Sequence, residues 1–249
     1  MPDLSAIIPT YNEEPNIRRS AGAVIEYLSR GERTWELLLV DDGSTDATRT
    51  IEQEIGASAP HVRVLAHSPN RGKGYAVREG MLAAQGEVRL FLDADYSTPI
   101  EEFEKLAPRL GEGADVVVGS RRLPDRAIET KPPLHRHLMG EAYVALTRWL
   151  LGVRLSDFNC GFKAFRAEAA ERLFAVARRD DWSFDAEVLA LAARLRYRID
   201  EVTVRWAHVQ RTSKVHPVRD ALRSLRSLLA IRRDLRRGVY ATGDAMRDA

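Results

Sequence analysis

The sequence predicts an α/β fold, a mainly parallel central sheet flanked by helices, on three observations. The first 120 residues alternate short apolar runs with amphipathic stretches, the pattern of successive β-α-β units. Polar clusters stand directly after three of the five strand candidates in that stretch, where open α/β sheets bind their ligands. The 249 residues, 45 % hydrophobic and 30 % charged, suffice for a sizeable core and exclude a disordered chain.

In chain order, residues 4–8, 35–40, 62–66, 88–92 and 115–119 read as strands, each a short apolar run. Between them residues 14–30, 46–55, 73–84 and 100–110 read as helices. Ser44 or Thr45 is placed to cap the second, and Ser97 or Thr98, followed by Pro99, the fourth. Residues 121–137, rich in Pro, Arg and Lys, read as a long surface loop. A helix over 141–151, a short strand over 161–166, helices over 167–177 and 185–195 and a strand over 199–206 follow. Pro217 to Arg237 reads as a helix with Leu222, Leu225 and Leu229 on one face, surrounded by seven arginines against two aspartates. The chain thus divides into a unit over 1–216 and a basic amphipathic helix with a flexible tail over 217–249, frayed beyond Gly238.

Runs such as 37–40 and 116–118 fall well short of the roughly 20 apolar residues that cross a bilayer. Asp3 stands early and no basic, apolar leader follows, so the chain is expected to stay in the cytoplasm. Cys160 is the sole cysteine, which excludes an intrachain disulfide and a thiolate zinc cage. A net charge of +2 does not point to nucleic acid.

Asp93 and Asp95 stand two residues apart as a strand ends. They can converge on one hard cation, Mg2+ or Mn2+, which takes one or two carboxylates beside water and substrate phosphate; otherwise they are solvated turn aspartates. In Asp41-Asp42-Gly43-Ser44 an acid can accept from a ribose hydroxyl or a base N–H, or simply open a helix. Tyr11, within Ile8-Pro9-Thr10-Tyr11-Asn12-Glu13-Glu14, can stack on a base or be an exposed turn ring. Asn70-Arg71-Gly72-Lys73-Gly74 suits an anion, through backbone N–H groups and Lys73, or is a tight turn; it lacks P-loop spacing. His135 and His137 have no third ligand nearby and read as loop residues. Cys160 has no partnered base and reads as non-nucleophilic. Trp35, Trp149 and Trp206 read as core or sheet-edge residues, Trp182 as the edge of a loop.

Taken in order, PTYNEE after the first strand, VDDGS, NRGKG, LDAD and Gly119-Ser120-Arg121 resemble the family 2 glycosyltransferases of GT-A fold. Ser156-Asp157-Phe158-Asn159-Cys160-Gly161-Phe162-Lys163, Trp182-Ser183-Phe184-Asp185-Ala186-Glu187, and Trp206 with Ser213-Lys214 narrow the resemblance. They are similar to the polyprenyl-phosphate hexosyltransferases, dolichyl-phosphate β-glucosyltransferases and bacterial relatives among them. The resemblance spans residues 4 to about 215. It implies a GT-A catalytic domain over 1–216 and an inverting, metal-dependent transfer of a hexose to a polyprenyl or dolichyl phosphate, with glucose and UDP-glucose favoured.

By the same resemblance Pro9, Tyr11, Glu13 and Asp42 line the nucleobase pocket, and Lys73, Asp93 and Arg121 contact the nucleotide sugar. Asp95 holds the cation, with Asp93 reaching the ribose or the metal. Lys163, Ser213 and Lys214 serve acceptor or phosphate, and Asp157 takes the catalytic position, with Asp185 beside Glu187 as the second candidate. Two departures bear on acceptor or sugar. Relatives usually carry Asp-Thr-Gln-Cys-Gly where this chain has Asp157-Phe158-Asn159-Cys160-Gly161, and often glycine at Thr212. The alternatives are mannosyl transfer from GDP-mannose, a soluble acceptor, and a non-catalytic nucleotide-sugar-binding module. Pro217 to Arg237 either lies on an anionic membrane surface, peripheral on its cytoplasmic face, or packs on the domain or a second subunit.

Overall fold

The structure is a computed structural model that describes residues 1–123, 134–207 and 217–240. Its strands are β1 (Leu4–Thr10), β2 (Trp35–Asp41), β3 (Val62–Ala66), β4 (Val88–Leu92), β5 (Val116–Ser120), β6 (Phe162–Arg166) and β7 (Ile199–Thr203). Its helices are α1 (Glu14–Arg30), α2 (Thr48–Ser58), α3 (Lys73–Ala83), α4 (Phe103–Gly111), α5 (Leu134–Leu151), α6 (Ala167–Val176), α7 (Phe184–Arg194) and α8 (Pro217–Arg236). The seven strands form one sheet in the order β3-β2-β1-β4-β6-β5-β7. Only β6 runs against its neighbours β4 and β5.

The continuous apolar runs follow from a sheet covered on both faces. Successive side chains alternate between faces, so Ile7, Leu38, Val40, Phe91, Val118 and Phe165 join a core shared with α3, α5, α6 and α7. Leu4, Ala6, Ile8, Leu37, Leu39, Leu90 and Phe162 join the other, with α1 and α4.

Several boundaries differ from the sequence expectation. Ser44 and Thr45 do not cap α2; they tie the loop after β2 to the loop after β1, with Thr45 N donating to Asn12 Oδ1 and Asn12 N donating to Ser44 Oγ. The N-cap position is Ala47, with no side-chain cap, and Asp46 ahead of it forms a local turn, its Oδ1 accepting from Thr48 N at 3.0 Å. Ser97 and Thr98 are likewise no caps, since Ser97 N and Oγ both donate to Asp95 Oδ1. A single 3-10 turn, Ile100–Glu102, leads into α4. The expected loop over 121–137 is shortened, because α5 already begins at Leu134 and takes in His135 and His137. Trp149 belongs to no core: it is 73 % exposed.

The C-terminal helix packs on the domain. Leu228 and Ile231 are fully buried in the first core, with Leu225 and Leu235 partly buried, whereas Leu222 and Leu229 of the expected stripe face outward. Just past Gly238, Tyr240 is buried and its hydroxyl donates to Glu187 Oε1 at 2.7 Å, while the rest of the expected tail, 241–249, lies outside the described residues. Among the described residues no helix is long and apolar enough to cross a membrane.

Candidate active site

The parallel strands β1, β2, β4 and β5 all end at one edge of the sheet. Because β6 is antiparallel, with Phe162 beside Leu92, the residues that precede it arrive at the same edge. Topology therefore gathers Tyr11, Asp42, Asp93, Asp95, Arg121 and Asp157 from distant segments.

Asp93 follows β4, and the chain turns at once: Tyr96 N donates to Asp93 O at 3.1 Å and Tyr96 adopts φ 57°. Asp95 Oδ1 is taken by Ser97, while Arg19 Nη2 donates to the Asp95 carbonyl at 3.0 Å. Lys73, the first residue of α3, sends Nζ to Asp93 Oδ1. Burial lowers the Lys73 pKa, but Asp93 and Asp185 more than offset this and hold the ammonium above its ordinary value. Gly161 leaves room for Asp93: a Cβ there would stand 2.0 Å from Asp93 Oδ2. Oδ2 of Asp93 and of Asp95 receive no donor among the described hydrogen bonds. Two part-exposed carboxylates, each with such an oxygen, fit the one or two carboxylate ligands that Mg2+ or Mn2+ takes. No group of three or more His, Cys, Asp or Glu that could by itself hold a metal ion is present among the described residues.

The Lys73 loop is held from behind. Gly74 N donates to Asp180 O at 2.7 Å, and a Cβ on Gly74 would stand 2.3 Å from Arg179 O. That 178–180 segment is fixed by buried Glu187, whose Oε2 accepts from Arg178 N and Arg179 N at 2.9 and 2.8 Å and whose Oε1 accepts from Tyr240. Exposed Trp182 lies over Lys73, with Nζ 4.6 Å from its ring centre.

Asp157 is held in an ion pair with Arg121. Arg121 grips it twice, Nε to Oδ2 at 2.7 Å and Nη2 to Oδ1 at 2.9 Å, and Arg121 N and Asn159 N add two further hydrogen bonds. Burial raises the Asp157 carboxyl, but the Arg121 charge and hydrogen bonds outweigh it and leave the group below the usual carboxylate range. Asp185 is buried against Lys163, whose Nζ donates to Asp185 Oδ1 and to Cys160 O at 2.6 Å each. Burial pushes the Asp185 carboxyl upward against the pull of Lys163. The Cys160 thiol is pushed by burial up to about 12, which leaves it inert.

Of the residues that the resemblance gives to a nucleobase pocket, Tyr11 is exposed, Pro9 is buried within β1, and Glu13 is buried, with Oε2 accepting from Asn16 Nδ2. Asp42 is 2 % exposed and is held by Asn70 Nδ2, Arg71 N, Gly72 N and His67 Nε2 at 2.6–2.8 Å. In this arrangement Asp42 shapes the 70–74 loop. Ser213 and Lys214 lie outside the described residues. The sequence reading missed His67, Glu201, Gly161 and Tyr240 as supports. Glu201, which accepts from Ser156 N and Asp157 N, is separated from them by 44–45 residues and carries no local signal.

Beneath this edge Thr10 Oγ1 donates to buried Glu52 at 2.7 Å, and Glu52 Oε2 has no donor. Burial, with Asp41 nearby, raises the Glu52 pKa to about 8 from 4.5. Between those values the folded state keeps a proton that the unfolded chain releases, so stability falls as pH rises. Glu52→Gln mimics the protonated acid. The Tm of the wild type should fall relative to this variant between about pH 5 and pH 8, by roughly 2–4 °C per kcal/mol lost, read by scanning calorimetry. Parallel Tm curves would contradict the assignment.

The model of the Glycosyl transferase family 2 matches residues 5–174. A dolichyl-phosphate beta-glucosyltransferase of Drosophila melanogaster is 38 % identical over 92 % of this chain and 74 % of its own. That of Homo sapiens is 33 % identical over 92 % and 74 %, and that of Saccharomyces cerevisiae 32 % over 95 % and 76 %. Among solved structures, glucosyl-3-phosphoglycerate synthase of Mycobacterium tuberculosis in complex with uridine-diphosphate has a TM-score of 0.67 at 22 % identity, covering 93 % of this chain and 80 % of its own. The same enzyme with Mg2+ and uridine-diphosphate has a TM-score of 0.63 at 23 % identity, over 92 % and 79 %.

Proposed function

From the premise that this chain belongs to glycosyl transferase family 2, we propose that it moves glucose from UDP-glucose to a polyprenyl or dolichyl phosphate, inverting the anomeric centre to β. The observation that carries this reading is the site's charge arrangement: both candidate bases are locked onto cations, Asp157 onto Arg121 and Asp185 onto Lys163. An acceptor must then bring its own nucleophilic charge, and a phosphate monoester, at about −1.5 to −2 near neutrality, does so. The relatives at 32–38 % identity, dolichyl-phosphate beta-glucosyltransferases by name, support the lipid and the sugar.

An acceptor phosphate oxygen attacks the anomeric carbon as the bond to the nucleoside diphosphate breaks; the electron pair leaves with the diphosphate and no proton need move. Asp93 and Asp95 would hold the Mg2+ or Mn2+. Once bound, the metal offsets charge on the departing diphosphate. Arg121, fixed by Asp157, and Lys73, fixed from the 178–180 segment, present cations to the same phosphates without reorganising. Tyr11 offers its exposed ring to the base.

Gly161 tests the placement of Asp93. Gly161→Ala displaces that carboxylate and should lower transfer by about 100-fold, the cost of an ångström-scale misplacement, with an unchanged circular dichroism spectrum. For the donor, titration calorimetry with Mn2+ present should show UDP binding more tightly than GDP by at least about tenfold, or ~1.4 kcal/mol. The reverse order would shift the reading to GDP-mannose.

The fold neighbour named for glucosyl-3-phosphoglycerate favours one second reading, a soluble phosphorylated acceptor. A competing-acceptor assay separates the two.

A further inference from the structure

We infer that the outward face of α8, together with Trp149 of α5, is an interfacial surface that lies flat on an anionic lipid bilayer. Its purpose rests on the lipid-acceptor reading.

The inner side of α8 is consumed by packing: Leu228 and Ile231 are buried, and Asp234 is buried with its carboxylate paired to Arg179. The exposed side is of one composition. Over 222–237 the exposed residues are Leu222, Arg223, Arg226, Leu229, Arg233, Arg236 and Arg237, with no acid among them. A merely solvated face intersperses both charge signs, and this one does not. Trp149, 73 % exposed, stands beside it with the Arg232 guanidinium 5.4 Å from its ring. Leu229, Arg232, Arg233, Arg236 and Arg237 line an open groove of about 390 Å³, a cationic recess with an apolar wall. Leucine and tryptophan that can enter the acyl boundary, among arginines that meet headgroups, are what an anionic membrane surface complements.

The face is also placed for its purpose. Arg223 Nε lies 3.8 Å from Asp181 Oδ2, and the adjoining Trp182 covers Lys73, the partner of Asp93. The upper half of α8 therefore meets the rim of the site that would take the lipid phosphate. Because the helix is locked into the core, it can present this face but cannot detach as a free anchor.

The test is co-sedimentation of the full chain with phosphatidylcholine vesicles, with and without phosphatidylglycerol. The wild type should bind the anionic vesicles, less so at high salt, and not the neutral ones. A Trp149→Ser, Leu222→Ser, Leu229→Ser variant and a separate Arg233→Glu, Arg236→Glu variant should each lose at least about tenfold in vesicle affinity. Both should keep the wild-type rate on a short, water-soluble prenyl phosphate. Wild-type vesicle binding that is absent, or that both variants retain, overturns the inference. So does a stable dimer in analytical ultracentrifugation that the leucine and tryptophan changes dissolve, which would give the face to a second copy. Variant-sensitive vesicle binding without turnover of any prenyl phosphate would uphold the surface and overturn the acceptor reading alone.

Discussion

Asp93→Asn should lower sugar transfer by on the order of a thousandfold while leaving UDP binding in the absence of metal close to that of the wild type. Two effects add in the same direction. The amide keeps the shape but removes the charge, so the pair with Asp95 no longer carries two anionic oxygens toward a divalent cation. A metal's stabilisation of leaving-group charge is worth several kcal/mol, and each ~1.4 kcal/mol is a factor of about ten in rate. The Lys73 ammonium, whose side chain is 12 % exposed, also loses its anionic partner. The check is a pair of titrations, initial rate against Mn2+ and UDP affinity without metal. If the Asp93→Asn variant instead retains metal-dependent turnover within about tenfold, the cation sits elsewhere.

The second large effect concerns Asp157. Asp157 is buried and Arg121 is part-exposed, so the charge left unpaired by Asp157→Ala is partly met by water and the substitution should cost up to about 3 kcal/mol of stability, the low end for a buried pair. Asp157→Asn, which preserves the shape and one acceptor oxygen, separates positioning from proton abstraction. The folded pKa of Asp157 is depressed, so the stability it contributes is present above the unfolded value and is lost as pH falls through the folded one. If Asp157 only orients Arg121, the Asp157→Asn variant is slower but its rate–pH profile keeps its shape from about pH 6 to pH 9. A general base would take the acid limb of that profile with it. Loss of that limb in the variant would return Asp157 to the role of base.

Much of this architecture was legible in the sequence. The alternation from β1 to β4 could be read because β1, β2 and β4 are buried on both faces and so stand out as apolar runs between more polar helical stretches. The direction of β6 could not be read, since a period of two is the same in either sense; yet that reversal brings Gly161 beside Asp93 and carries Asp157 to the same sheet edge. Motifs at strand ends marked the acidic and basic residues of the site but not their partners. Arg121 and Asp157 are separated by 36 residues, Lys163 and Asp185 by 22, Asp42 and His67 by 25, spacings that carry no local pattern. In α8 the leucines at 222, 225, 228 and 229 admit two overlapping stripes, and only the packing of Leu228 and Ile231 decides which faces the core. The capping expectation at Ser44 failed for a related reason, because Asn12, some 32 residues earlier, competes for the same groups.

The central claim is metal-dependent glucosyl transfer to a lipid phosphate. It is tested most directly by incubating the full chain with UDP-glucose, Mn2+ and a short polyprenyl phosphate and weighing the lipid by mass spectrometry. The expected product is a lipid phosphate heavier by one hexose residue, together with free UDP. That product should disappear on chelation and in Asp95→Ala. A lipid of unchanged mass with every nucleotide sugar offered, or transfer that persists without metal, would contradict it.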